Sequence, residues 1–157
     1  MKNTEFAMEM LERAQERFED TFDQMTIEEA NQMPAPLIKS VVWLMWHTAR
    51  ELDMQISDLN GTDFLWTSAG WSEKFALDLP DDTPDYRHTP EEAAKVIVNE
   101  RQLVLDYLAA SIEFTKEYLK QLDESRLNDV IDTTWETPVT RQVRIVSAID
   151  DAVLHSG

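Results

Sequence analysis

The chain has 157 residues, 43% of them hydrophobic, enough for one domain with its own core and too many for a disordered segment. Its formal charge of −17 would be repelled by phosphate backbones and by anionic lipid, so neither nucleic acid nor a membrane is an expected partner. The absence of Cys excludes a disulfide framework, a thiolate metal site and a Cys nucleophile, and no apolar run reaches transmembrane length.

With only 3 Gly and 6 Pro, long helices fit better than a many-turned β sandwich. The N-terminus MKNTEFAMEMLERAQERFED lacks a signal-peptide core, so a cytoplasmic location is expected. The first helix spans about residues 4 to 24, with Phe6, Met10, Ala14, Phe18 and Phe22 recurring every fourth position as an apolar stripe. Thr26 with Glu28 and Glu29 reads as a short capped turn, ended by the prolines of MPAP. The second helix spans about 36 to 59. One face is broadly apolar (Ile38 through Leu59) and the other is mixed, carrying Trp43, His47, Glu51 and Met54, which predicts burial on two sides.

Residues 60 to 88 form a long connection holding Trp66, Trp71, Phe75 and Tyr86, expected to pack over the bundle and to contain a short helix. Its acidic stretch DLPDDTPD lacks the spacing of a calcium loop, and His88 reads as a loop residue near the rim of any site. The third helix has a clear start, with Thr89 as N-cap, Pro90 at the first position and Glu91 and Glu92 behind it; it is expected to run to about Leu122. A linker follows with Trp135 as its anchor, then a fourth helix from about Val139 to the end, with Val143, Val146, Ile149 and Val153 facing the core. The expected fold is therefore all-α: a single four-helix bundle over residues 1–157, in which the long connection between helices two and three allows those two to lie parallel.

Chemistry concentrates in few residues. Asp151 and His155 are four apart, which places them on one helix face, a spacing at which two ligands can share a metal. The same spacing at a helix end also describes a surface pair favoured by the helix dipole. His47 offers a third ligand from another helix. Two His and one carboxylate would suit Zn, Ni, Fe or Mn.

The segments WLMWHTARELD, LWTSAGWSEKFAL, HTPEEAAKVI and PVTRQVRIVSAIDDAVLHSG, in that order, resemble the DinB/YfiT-like superfamily of metal-dependent four-helix bundles, in a branch with a tryptophan-rich connection. The resemblance covers nearly the whole chain. It implies a bundle with a long crossover and a metal held by His47, Asp151 and His155, where Asp151 stands at a position that commonly carries His. The family's last helix usually continues further; were the stop at Gly157 a truncation, a fraying end would hold His155 less firmly. Characterised members of that superfamily include thiol S-transferases that use low-molecular-weight thiols, and others are stress-associated proteins. Trp66, Trp71 and Phe75 would then shape a pocket for a small-molecule substrate, Arg144 would hold an anionic group or pair with a carboxylate, and Glu51 would support the ligands from behind. The competing expectation is a non-catalytic small-molecule-binding or stress-associated bundle with a vestigial metal site. Exposed apolar strips on the first or third helix would favour a homodimer.

Overall fold

The computed structural model describes residues 3–157. In chain order the helices are α1 (Asn3–Asp23), α2 (Ile27–Ala30), α3 (Val41–Asn60), α4 (Leu65–Ser68), α5 (Trp71–Phe75), α6 (Pro90–Ala93), α7 (Arg101–Gln121) and α8 (Arg141–Ser156). Two short strands, β1 (Val130–Asp132) and β2 (Val139–Thr140), pair antiparallel between α7 and α8.

The four long helices form the expected all-α bundle. Asp53 of α3 meets Tyr107 of α7, and further along Arg141 reaches both the Leu59 carbonyl of α3 and the Tyr118 hydroxyl of α7, so α3 and α7 run parallel. The start of α1 lies beside Ile145 and Val146 near the start of α8, while Arg17 bonds Ser156 at its end, so these two are also parallel. Glu12 pairs with Lys116, and Arg101 bonds the Phe22 carbonyl, which sets α1 antiparallel to α7. Residues 61–100 are the crossover that permits this up-down-down-up order. Gly61, with φ of 70°, ends α3 in the left-handed conformation that Gly adopts without steric cost.

Two apolar stripes differ from their sequence readings. On α1 the core side is Leu11, Ala14, Phe18 and Phe22, whereas Phe6 and Met10 are exposed. A step of four residues turns a helix by about 400°, so a stripe of that spacing drifts about 40° per step and cannot hold one face for five members. On α8 the buried side is Ile145, Ala148, Ile149 and Ala152; Ile149 was correctly placed, Val153 is partly buried, and Val143 and Val146 face outward. Trp135, expected as an anchor, is exposed too. Ile38 lies before α3 rather than within it, because Ser40 caps the helix by accepting from the Trp43 N–H.

The third helix is broken. Thr89 and Glu92 form the capping box read from the sequence, but it serves only α6. Lys95 to Glu100 then leave helical geometry before α7 begins at Arg101. The run Val96-Ile97-Val98 is β-branched and disfavours helix, and Val96 and Val98 are both buried. The Asn31 side chain holds the break from the other side. Its amide donates to the Val98 carbonyl at 2.7 Å and its oxygen accepts the Val98 N–H at 3.0 Å. Asn31→Ala is expected to cost about 1–3 kcal/mol, because it orphans both backbone groups, and to speed amide exchange at Val98. Unchanged urea stability together with unchanged exchange would refute this role.

Candidate metal centre

His47 sits in the middle of α3, buried, on the side that faces α8. Its ring stacks on Trp43 one turn earlier, with centroids 4.5 Å apart and planes within 10°. The His155 ring meets it edge-on at 4.8 Å. His47 Nε2 lies 3.6 Å from Asp151 Oδ2, and His155 Nε2 lies 3.2 Å from Asp151 Oδ1. The ligand-capable atoms of His47, Asp151 and His155 all fall within 4.8 Å of one another. The three residues nominated from spacing and resemblance are thus brought together. α8 is helical through Ser156, whose hydroxyl donates to the Val153 carbonyl and accepts from Arg17 Nε of α1.

The other nitrogen of His47 is fixed by a residue that the sequence reading missed. Asp85 Oδ2 lies 2.6 Å from His47 Nδ1, with the carboxylate fully buried. With Asp85 accepting from Nδ1, Nε2 is the ring nitrogen that lies on the side of Asp151 and His155. A carboxylate behind a ligating His is the usual device for setting its tautomer and orientation. Nothing local marks Asp85. It is one of four aspartates in DLPDDTPD, and only the path of the loop distinguishes it from Asp78, Asp81 and Asp82, all exposed.

That path is set by Arg50, also fully buried on α3. Its guanidinium donates to the Asp81 carbonyl at 2.6 Å and the Thr83 carbonyl at 3.1 Å, and its Nε is 3.6 Å from Asp85 Oδ1. It lies over the rings of Trp46 and Trp66, a desolvated setting that suits a delocalised cation. His88 completes the strap. Burial lowers its pKa, and Trp43 Nε1 donates to its Nδ1, so the proton is on Nε2 and donates to Thr83 Oγ1 at 2.8 Å. His88 is therefore a buried loop fastener, not a rim residue.

Glu51, one turn after His47, has a carboxylate oxygen within 4.8 Å of ligand-capable atoms of both His47 and Asp85. Burial, then the nearby Asp85 charge, pushes its carboxyl up to about 7, while Gln55 donates to it. Burial alone would also raise Asp85, but the hydrogen bond and charge of His47, together with Glu51 and Arg50, hold it below the usual carboxylate range. Of the two, Glu51 is therefore the carboxyl that holds a proton shared by the pair, and Asp85 the one that stays ionised. The hydrogen bond to Asp151 raises His155 above its ordinary value.

The residues expected around a substrate are engaged elsewhere. Trp66 and Phe75 are buried and pack on each other and on Tyr107, and Trp71 packs on Tyr107 from the rim of the core. Asp53 fastens this aromatic loop by accepting the Leu65 and Trp66 N–H groups and the Tyr107 hydroxyl. Arg144 pairs with Asp58 of α3 and Asp132 of β1, the bland alternative the sequence offered.

The donor set fits a divalent ion. Asp151 Oδ2 is a buried oxygen with no hydrogen-bond partner, and it lies beside a His nitrogen oriented from behind. Fold and site together define a four-helix bundle with a cluster of potential metal ligands between α3 and α8. The chain belongs to the DinB superfamily, whose sequence profile matches residues 10–155. It is similar to the crystal structure of a conserved protein from Enterococcus faecalis, with 69% identity and a TM-score of 0.97 over all of this chain and 92% of that one. No curated protein matches. No helix among the described residues is long and apolar enough to cross a membrane.

Proposed function

We propose that this chain is a metal-dependent enzyme that transfers a low-molecular-weight thiol to a small electrophile in the cytoplasm. His47 through Nε2, Asp151 and His155 would hold a divalent ion such as Zn, Ni, Fe or Mn. When bound, such an ion acts as a Lewis acid that lowers the pKa of a thiol or water at its open position. Asp85 retains the Nδ1 proton of His47, so that Nε2 stays available as a donor. Trp43 covers one face of the His47 ring and excludes water there. Glu51, with its carboxyl near neutrality, can hold a proton beside the site or release it. The observation that carries this reading is the convergence of two histidines on Asp151, whose Oδ2 is buried without a hydrogen-bond partner.

Elemental analysis of untagged protein tests it. Wild type is expected to retain about one divalent ion per chain and His47→Ala to lose it. Wild type without metal, even after supplementation, would sink the metalloenzyme reading. Given metal, an electrophile and a panel of thiols test the transferase activity.

A second reading is a non-catalytic small-molecule or stress-associated protein with a vestigial site. It is favoured by one observation: Trp66, Trp71, Phe75 and Arg144 are all engaged in internal contacts. Metal retention without turnover on any thiol would support it.

A further inference from the structure

We infer that His88 is a pH-sensitive latch: protonation of its ring in mildly acidic medium releases the strap from Thr83 to His88 and withdraws Asp85 from His47. The hydrogen bonds around the ring admit only its neutral form. The Trp43 indole N–H can donate but not accept, and it meets Nδ1 at 3.1 Å, so Nδ1 carries no proton. Nε2 then holds the one ring proton and meets Thr83 Oγ1 at 2.8 Å. His88, Trp43 and Thr83 are all buried. Protonating Nδ1 would set one N–H against another and leave both without an acceptor inside the protein. Asp85 lies between two fastenings of the strap, with Arg50 on the Asp81 and Thr83 carbonyls on one side and the His88 ring on the other. The His88 N–H also bonds the Asp85 carbonyl. Loss of the ring's contacts therefore frees the segment that carries Asp85 from one end.

The charges that face the ring do not rescue the cation. Lys39, just before α3, donates to the His88 carbonyl, and Arg50 of α3 donates to the Thr83 carbonyl; both oppose a protonated ring. Glu92 of α6 and Asp85 of the strap favour one, but Glu92 is committed to the Thr89 N–H and Asp85 to His47 and Arg50. Trp46 offers a stacked ring face with centroids 5.7 Å apart. Burial outweighs these and holds His88 below its ordinary value. In a released strap the ring returns to about 6.5. The neutral ring thus stabilises the closed strap in full above that pH, and the stabilisation is lost as pH falls below it. The closed-to-open ratio drops by up to about tenfold per pH unit until the buried value is reached. The latch belongs to the chain itself and does not depend on whether an ion binds at His47, Asp151 and His155.

Nuclear magnetic resonance on the full chain in the presence of a chelator tests this. The Asp85, Arg87 and His88 amides bond the Thr83, Pro84 and Asp85 carbonyls. Their protection from exchange, corrected for the intrinsic rate, is expected to fall about tenfold between about pH 6.5 and about pH 5.5. The Ile112 amide, in the middle of α7, should keep its protection. His88→Gln presents a carbonyl to Trp43 and an amide to Thr83 at every pH, so its strap should stay protected throughout. His155 and Glu51, both raised, favour the folded chain less as pH rises, the opposite sense, so the difference between wild type and His88→Gln isolates the latch. The ring of His88 in the wild type gives a second measurement that needs no variant. Its signal should titrate below about 6.5, together with the strap amides and the His47 ring signal. A His88 ring that titrates at or above that value would overturn the proposal. So would a strap whose protection does not change as His88 titrates, or one that loosens equally in His88→Gln.

Discussion

Arg50→Ala will destabilise the protein by about 3–5 kcal/mol, the cost of removing one partner from a buried ion pair and leaving the other unpaired. The loss falls on several groups together. The Asp81 and Thr83 carbonyls lose their donor, Asp85 loses its cation, and Trp46 and Trp66 lose the group packed over both rings. The loop that carries Asp85 then keeps its His88 and His47 contacts and the packing of Leu77 and Leu79. Arg50→Lys keeps the charge but not the planar fork that reaches two carbonyls and a carboxylate at once, so it should recover only part of the loss. Urea denaturation measures both variants. A loss below about 1 kcal/mol for Arg50→Ala would mean that the strap is held by something else.

The second expected result concerns Asp85→Asn, which keeps the shape of the side chain and removes its charge. A carboxylate behind a ligating His is worth about 10–100-fold in metal affinity, and a loss of that size is expected here. Competition with a chromogenic chelator, under conditions where circular dichroism shows the variant folded, gives the number. Affinity within a factor of two of wild type would remove Asp85 from any role in positioning His47. Asp85 and Arg50 touch, so their effects on stability should be less than additive, and a double-mutant cycle separates the pair from the rest of the strap.

The sequence made much of this visible, for identifiable reasons. Thr26, Thr89 and the run of helical periodicity on α3 are local signals, and local signals survive folding intact. His47, Asp151 and His155 could be nominated because two of them share a helix at fixed spacing and the ordered motifs supplied the third. What escaped depends on groups far apart in the chain. The break before α7 is held by Asn31, the buried choice among four aspartates is made by Arg50, and the outward turn of Phe6, Val143 and Val146 follows from where neighbouring helices pack. Apolar character alone could not say that these three side chains stay in solvent. The β1–β2 pair was also missed, because strands of three and two residues are too short to show alternation.

The parallel pairing of α3 and α7 has a consequence for how the molecule assembles. An up-down bundle can zip from each helix to the next, every docking step closing a short loop. Here α1 packs on α7 and α8, and α3 on α7 and α8, so the main contacts among the long helices all join segments distant in the chain. The 61–100 segment must come back across the whole bundle before α7 can dock, and the entropy of that closure is spent before any burial repays it. The buried fastenings along the segment, Asp53 on Leu65 and Trp66, Arg50 on Asp81 and Thr83, and Asn31 on Val98, divide one long closure into three shorter ones. Residues that hold the His47 side of the site in place therefore also stand at the stages by which the chain finds its topology.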